Sequence, residues 1–148
     1  MRIASSTAIR SFDMSDIERT LKFWSSIEGL GLTESDNKEA IKAFLKRNPG
    51  FSAIAIGTAG EIIGAVLCGH NGRAGFLYHL AVAQLHRRQG IGTQLVEFCF
   101  AKLAEAKIPR CNIFVYTANE SSNKFWLRSG WNDPTIWKVL QKYVEPLL

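Results

Sequence analysis

The segment His86–Thr93 combines two arginines with two closely spaced glycines, a composition suited to binding an anion. The apolar run Gly75–Val82 before it is typical of an internal strand, and the apolar stripe after it predicts a helix over Ile91–Ala106. The first N–H groups of a helix have no partner within that helix, and glycine leaves them accessible. The helix dipole and the charges of Arg87 and Arg88 add attraction, so the segment predicts a phosphate site.

Other phosphate-binding loops do not match this spacing. The chain contains no Gly-x-x-x-x-Gly-Lys-Ser/Thr run, and Gly90-x-Gly92 lacks the third glycine of the dinucleotide fingerprint. A second block follows at Asn119–Trp131, where an asparagine precedes a short helical pattern, the pair Phe125-Trp126 and a Gly-aromatic ending.

Arg87-x-x-Gly90-x-Gly92 and the second block, in this order, resemble the GNAT superfamily of acyl-CoA-dependent N-acyltransferases. The resemblance implies acetyl-CoA as co-substrate, with its pyrophosphate on the glycine loop. It also implies direct transfer of the acetyl group to a primary amine, of a small molecule or a peptide, in a ternary complex. The implied coenzyme contacts are Leu80, Ala81, Val82, Arg87, Arg88, Gln89, Gly90, Ile91, Gly92, Thr93, Asn119, Phe125 and Trp126.

Two other functions stay open at this point. A longer acyl-CoA would be used by the same fold with a deeper pocket. A non-catalytic CoA-sensing or protein-binding module would keep the loop without the chemistry.

The proposed reaction needs a base for the amine, a donor for the oxyanion and a proton for the leaving thiolate. The resemblance places the oxyanion donor on the backbone of the fourth strand, near Leu80–Val82. It also implies a tyrosine as proton donor seven residues after Asn119, where this chain has Trp126. An indole N–H donates hydrogen bonds but does not release a proton near neutral pH. Two alternatives follow: Trp126 packs on the pantetheine or the thioester while the thiolate leaves unassisted or is protonated by water, or Tyr116 or Tyr78 acts as the acid.

Strict alternation along the fourth strand puts Tyr78 and His79 on opposite faces. The resemblance to the family implies that the Tyr78 face points into the acceptor cavity. His79 has the pKa range of a base, but a hydrogen-bonded core histidine is the favoured interpretation. Glu28 and Glu34 are further base candidates. The carboxylates of the acceptor region, Glu28, Glu34, Asp36 and Glu39, favour a cationic amine.

The order of the predicted elements is strand, two helices, three antiparallel strands, helix, strand, helix and strand. This order predicts a mixed α/β fold, a mostly antiparallel central sheet flanked by helices. It is also the GNAT order, which implies splayed fourth and fifth strands at Phe76–Val82 and Cys111–Tyr116. The last strand is predicted at Trp137–Val144, and the whole chain, residues 1–148, is expected to be a single N-acetyltransferase domain.

The composition is that of a folded protein, and its charge favours an anionic ligand. The 148 residues are 47% hydrophobic and carry a formal net charge of +5. No basic stripe accompanies the tryptophans, which disfavours nucleic acid as a partner. The three cysteines form no Cys-x-x-Cys pair, and no metal site is expected. Met1–Thr7 lacks a signal-peptide core and no run is long enough to span a membrane, so a cytoplasmic protein is predicted. The resemblance leaves a homodimer open.

Overall fold

Residues 7–144 are described by a computed structural model. The chain divides into two units, Met1–Phe114 and Val115–Leu148. The first contains β1 (Ala8–Ser11), α1 (Ile17–Ser25), α2 (Lys38–Arg47), β2 (Ala53–Ile56), β3 (Ile62–His70), β4 (Gly75–Val82), α3 (Ile91–Glu105) and β5 (Cys111–Ile113). The second contains α4 (Glu120–Arg128).

The strands of the first unit form one five-stranded sheet in the order β1-β2-β3-β4-β5. Neighbouring strands are antiparallel except for β4 and β5, which are parallel. A parallel connection needs a long crossover, and α3 provides it. The predicted mixed fold, a mostly antiparallel sheet with helices packed on it, is therefore confirmed.

One face of the sheet is covered by α1 and α2. The buried positions of α1 are Ile17, Thr20 and Trp24, whose spacing places them on one side of the helix. In α2 the Asn37 side chain caps the first turn by accepting a hydrogen bond from the Ala40 amide at 2.8 Å. The core between these helices and the sheet consists of Phe12, Ile17, Trp24, Ile41, Leu45, Ile54, Ala65, Leu67 and Ala81.

The other face of the sheet is covered by α3. Because Ala65 belongs to the core with α1 and α2, the adjacent residue Gly64 faces the opposite side of β3. A Cβ on Gly64 would lie 3.0 Å from the Cδ1 of Leu95, and one on Gly75 would lie 2.8 Å from that of Leu103. The absence of side chains at these two glycines therefore lets α3 pack closely on the sheet.

The C-terminal segment differs from the prediction. Residues 131–144 contain neither helix nor strand, so the predicted strand at Trp137–Val144 is wrong. Its apolar side chains are exposed, with Trp137 at 69% and Leu140 at 82%. A strand needs a neighbour for its backbone hydrogen bonds, and within the described chain none pairs with this segment. β5 is also shorter than predicted and ends at Ile113 instead of Tyr116.

No helix within residues 7–144 has both the length and the apolar character needed to cross a bilayer. Met1–Ser6, which contributed to the prediction of cellular location, lies outside the described residues. That prediction stays a prediction.

Candidate active site

A bulge interrupts β4 where the site begins. Tyr78 is opposite Leu67 and Ala81 is opposite Ala65, so two residues of β4 face the single residue Val66 of β3. The first of the two, His79, has a left-handed backbone with φ of 57°. Such a bulge shifts the alternation of side chains along a strand.

Tyr78 and His79 consequently face the same helical layer. The Tyr78 ring meets Phe44 of α2 edge to face, with centroids 5.9 Å apart. The His79 ring meets Trp24 of α1 at a centroid distance of 5.2 Å. The prediction that these two side chains lie on opposite faces is therefore wrong, because it assumed a regular strand.

His79 forms a close pair with a carboxylate from the connection between α1 and α2. Its Nε2 lies 2.8 Å from Oδ1 of Asp36, and the two side chains are 15% and 8% exposed. The second carboxylate oxygen of Asp36 accepts a hydrogen bond from the Thr33 amide at 2.7 Å. The Thr33 amide thus orients the Asp36 carboxylate, and this carboxylate orients the His79 imidazole.

Beyond the bulge, one edge of β4 has no strand partner within residues 7–144. The pairing of β4 with β5 ends at Leu77 and Ile113, whereas β4 continues to Val82. The Ala83 amide donates to Ile63 of β3 at 2.8 Å, so by alternation the N–H and C=O of Val82 point to the open edge. The Val82 carbonyl there accepts a hydrogen bond from Nε of Arg87 at 3.0 Å.

The loop after β4 leads to the uncapped N-terminus of α3. Gly90 is the N-cap residue, its φ of 80° lies in the left-handed region, and no side chain caps the helix. Within the described chain, the amides of Ile91, Gly92 and Thr93 have no protein acceptor. Arg88 is exposed, with φ of 63°. These groups form a positively polarised site suited to a phosphate.

In the second unit, the predicted residues surround the start and the middle of α4. Asn119 caps this helix, its Oδ1 accepting a hydrogen bond from the Ser122 amide at 3.1 Å. Trp126 is buried and meets Phe125 and Trp131 edge to face, at centroid distances of 4.9 and 4.8 Å. An asparagine suits this position because it is among the residues that cap helices best.

The acetyltransferase (GNAT) family model matches residues 16–131 of this sequence. The chain belongs to the GNAT acetyltransferase family. An acetyltransferase from Sodalis glossinidius is 28% identical to this GNAT chain over 113 residues, which cover 76% of the chain and 78% of that relative.

Solved structures share the fold of this GNAT chain. Ard1 from Thermoplasma volcanium superposes with a TM-score of 0.73 at 20% identity, covering 84% of this chain and 82% of that one. The PaiA N-acetyltransferase from Thermoplasma acidophilum, solved in complex with coenzyme A, also gives a TM-score of 0.73. Its identity is 16%, over 85% of this chain and 89% of that one.

Two pockets lie in the region expected to shape the acceptor site of this GNAT chain. One, of about 340 Å³, is formed by the end of α1 and the connection after it: Trp24, Ser25, Ile27, Gly29, Leu30, Gly31 and Leu32. The other, of about 270 Å³, lies beside Tyr78 at the C-terminal end of α2. Glu28 and Glu34, the other base candidates, are both exposed.

Sequence reasoning missed the pairing of Asp36 with His79, although it noted Asp36 as an acidic loop residue. The local signal was Thr33-x-x-Asp36, a capping-box pattern that fixes a short turn. This pattern predicts the turn but not its contact with a residue 43 positions away.

Proposed function

We propose that this protein transfers an acetyl group from acetyl-CoA directly to the primary amine of a small molecule or peptide, in a ternary complex. The observation that carries the proposal is that backbone groups lack hydrogen-bond partners at two places joined by one loop. These are the amides of Ile91–Thr93 at the start of α3 and the edge of β4 at Val82, within the described residues. Membership of the GNAT family supports acyl transfer. The shared fold with PaiA, solved with coenzyme A, supports the coenzyme.

The described residues of the loop fit the pyrophosphate of coenzyme A. Three amides without a protein acceptor point from the start of α3, and Arg88 adds a full positive charge beside them. Arg87 instead fastens the loop to Val82. We assign further coenzyme contacts within the first unit to Leu80, Ala81, Gln89 and Gly90. When bound, acetyl-CoA supplies the thioester carbon that the amine attacks.

Val82 is the proposed donor to the oxyanion. Its N–H points to the edge of β4 that no strand covers. A backbone donor held rigidly in a sheet needs no rearrangement when negative charge develops on the carbonyl oxygen. We therefore assign the oxyanion hole to this end of β4.

His79 is the proposed base. Its Nε2 faces the Asp36 carboxylate, so the neutral imidazole carries its proton there and its lone pair on Nδ1. Within residues 7–144, Nδ1 has no hydrogen-bond partner. As the carbon–nitrogen bond forms, the amine proton passes to Nδ1, and the carbon–sulfur bond then breaks to release the thiolate.

The cysteines support direct transfer over an acyl-enzyme. Burial raises the pKa of Cys111 to about 12, so little of it is thiolate at neutral pH. Cys68 and Cys99 are buried, and the hydrogen bond of the Cys99 thiol to Cys68, together with burial, raises the pKa of Cys99. A thiol that stays protonated is a poor nucleophile.

Tyr78 is the proposed proton donor to the thiolate. Burial, and then the nearby Cys111, raise the pKa of Tyr78, so its hydroxyl keeps its proton at neutral pH. Trp126, in the position of the usual tyrosine, can contribute a hydrogen bond or packing but no proton.

A thiol-release assay with acetyl-CoA tests the proposal. The purified protein is incubated with a panel of amines, amino acids, polyamines and N-terminal peptides, and free CoA is measured. We expect turnover with at least one class of acceptor. Binding of acetyl-CoA in calorimetry without turnover on any acceptor would instead support the CoA-sensing alternative, which the tryptophan at position 126 favours.

The same assay separates acetyl transfer from transfer of longer acyl groups. Butyryl-CoA and a long-chain acyl-CoA replace acetyl-CoA with the best acceptor. A higher kcat/KM for either would reject acetyl-CoA as the preferred donor.

A further inference from the structure

The pocket of about 270 Å³ beside Tyr78 has a polar lining of unusual composition. Seven residues line it: Phe44, Arg47, Asn48, His70, Asn71, Phe76 and Tyr78. They come from the last turn of α2, the adjoining ends of β3 and β4, and the turn between those strands. Its lining includes no carboxylate.

Backbone amides already occupy the acceptor atoms of the His70 and Asn71 side chains in this lining. The Nδ1 of His70 accepts from the Gly72 amide at 2.9 Å, so the neutral imidazole carries its proton on Nε2. The Oδ1 of Asn71 accepts from the amides of Arg73 and Ala74 at 2.9 and 3.0 Å. What these two side chains have left to offer a ligand is therefore N–H donors.

Arg47 adds a cation to these donors. Within residues 7–144 its guanidinium forms no hydrogen bond or ion pair. A guanidinium binds a carboxylate through two parallel N–H groups. Arg47, His70 and Asn71 thus contribute donors and positive charge to the lining of the pocket.

Aromatic rings form the apolar side of the same pocket. Phe76 and Tyr78 lie nearly parallel, with an interplanar angle of 17° and centroids 6.3 Å apart. Phe44 stands perpendicular to the Tyr78 ring. A planar apolar group fits such faces and edges, because aromatic pairs favour offset-stacked and edge-to-face contacts.

We propose that this pocket binds a free aromatic α-amino acid, whose carboxylate meets the donors, whose ring meets the aromatic wall and whose α-amine accepts the acetyl group. The inference rests on the proposed function, because it names the acceptor class of that reaction. Tyr78 lines the pocket and the proposed base His79 follows it in β4. The volume is slightly below the range of about 300–1,000 Å³ typical of drug-sized ligands, which suits a single amino acid.

This acceptor differs from the cationic amine that the loop carboxylates favoured. Asp36 is engaged by His79 and Thr33, and neither it nor Glu28, Glu34 or Glu39 lines the pocket. The groups that do line it select an anion instead.

Calorimetry with two matched ligands tests the inference. L-phenylalanine and phenethylamine share a skeleton and an amine, but only the first has a carboxylate. We expect L-phenylalanine to bind about 10–100-fold more tightly, the range for hydrogen bonds to a charged group. Equal affinities would overturn the inference.

Arg47→Gln and Lys46→Gln form the matched pair of variants. Both remove one charge from the last turn of α2, but only Arg47 lines the pocket. We expect Arg47→Gln to abolish the preference for the carboxylate and Lys46→Gln to retain it. Retention of the preference in Arg47→Gln, or its loss in both variants, would overturn the inference.

Thiol release by the same proteins separates this inference from the proposed function. Turnover of amines without a preference for the carboxylate rejects the aromatic amino acid and leaves acetyl transfer standing. Carboxylate-dependent, Arg47-dependent binding without turnover of any acceptor supports the pocket and rejects the transferase.

Discussion

His79 adopts a left-handed backbone in the middle of a strand. For residues other than glycine such a conformation costs about 1–3 kcal/mol and persists only where the surroundings impose it. Here the imidazole is held between the Asp36 carboxylate and the Trp24 ring. Strain of this kind concentrates at active sites, which agrees with the proposed role of His79 as base.

His79→Asn tests that role, because asparagine tolerates the left-handed region while lacking an imidazole. We expect kcat to fall by about 10²–10⁴-fold, the usual contribution of a general base. The affinity for acetyl-CoA, measured by calorimetry, should stay unchanged. A variant with kcat within a few fold of the wild type would exclude His79 as the base.

Gly90→Asp tests the phosphate site. An aspartate at the N-cap would itself accept from the free amides and would repel a phosphate. We expect acetyl-CoA to bind about 10–100-fold more weakly, as calorimetry would show. Gly90→Asn is the control, because asparagine tolerates the φ of 80° and caps the helix without a charge. Its affinity for acetyl-CoA should fall less than that of Gly90→Asp. Equal losses in both variants would show that repulsion of the phosphate plays no part.

At the scale of the element, the start of α1 depends on a buried carboxylate. Asp16 is 2% exposed and accepts hydrogen bonds from Arg10 at 2.8 and 3.0 Å and from Arg19 at 3.3 Å. Burial favours the neutral form, but these bonds and one from the Asp13 amide outweigh it, and the pKa of Asp16 is lowered. The ion pairs therefore tie β1 to the first turn of α1.

Asp16→Asn is expected to lower the free energy of unfolding by about 1–3 kcal/mol at pH 7, because Arg10, Arg19 and the Asp13 amide lose a charged acceptor. Because the pKa of Asp16 is lower in the folded state, its ionised carboxylate stabilises the fold at pH values above the unfolded pKa of about 3.9. This stabilisation is lost as the pH falls through the pKa of the folded state. The difference between wild type and variant should thus shrink below that pH. Urea denaturation at pH 7 and at acidic pH measures it.

Glu18→Gln provides the control for this pH dependence. Glu18 pairs with Lys38 in full exposure, where ion pairs contribute little to stability. Its replacement should leave the unfolding curves nearly unchanged. If Asp16→Asn destabilised the protein equally at every pH, the ionisation of Asp16 would not be the cause.

At the scale of the whole molecule, the net charge of +5 attracts an anionic coenzyme. The Debye length falls from about 10 Å at 0.1 M salt to about 3 Å at 1 M, so this attraction is screened. We expect the Kd for acetyl-CoA to rise several-fold over that range. Acetyl-pantetheine, which has no phosphates, should show no such rise, and a rise of equal size would assign the effect to something other than charge.

The sequence predicts the local elements well because their causes are local. The four-residue spacing of Ile91, Leu95, Cys99 and Leu103 fixes the buried face of α3, and Gly90 before it leaves its N-terminus without a side-chain cap. By contrast, the segment Trp137–Val144 forms a strand only if a neighbouring edge pairs with it, and local sequence does not report that edge.

The sequence alone predicted a mostly antiparallel sheet flanked by helices and an anion site, since periodicity, glycine spacing and charge act over a few residues, and its two motifs carried the resemblance to the GNAT superfamily. Only the tertiary structure decided which side chains meet around His79 in the candidate active site. The bulge at His79 reverses the expected alternation, and it brings His79 against an aspartate 43 residues earlier. Contacts at such separation depend on how α1 and α2 pack on the sheet, which no short window of sequence encodes.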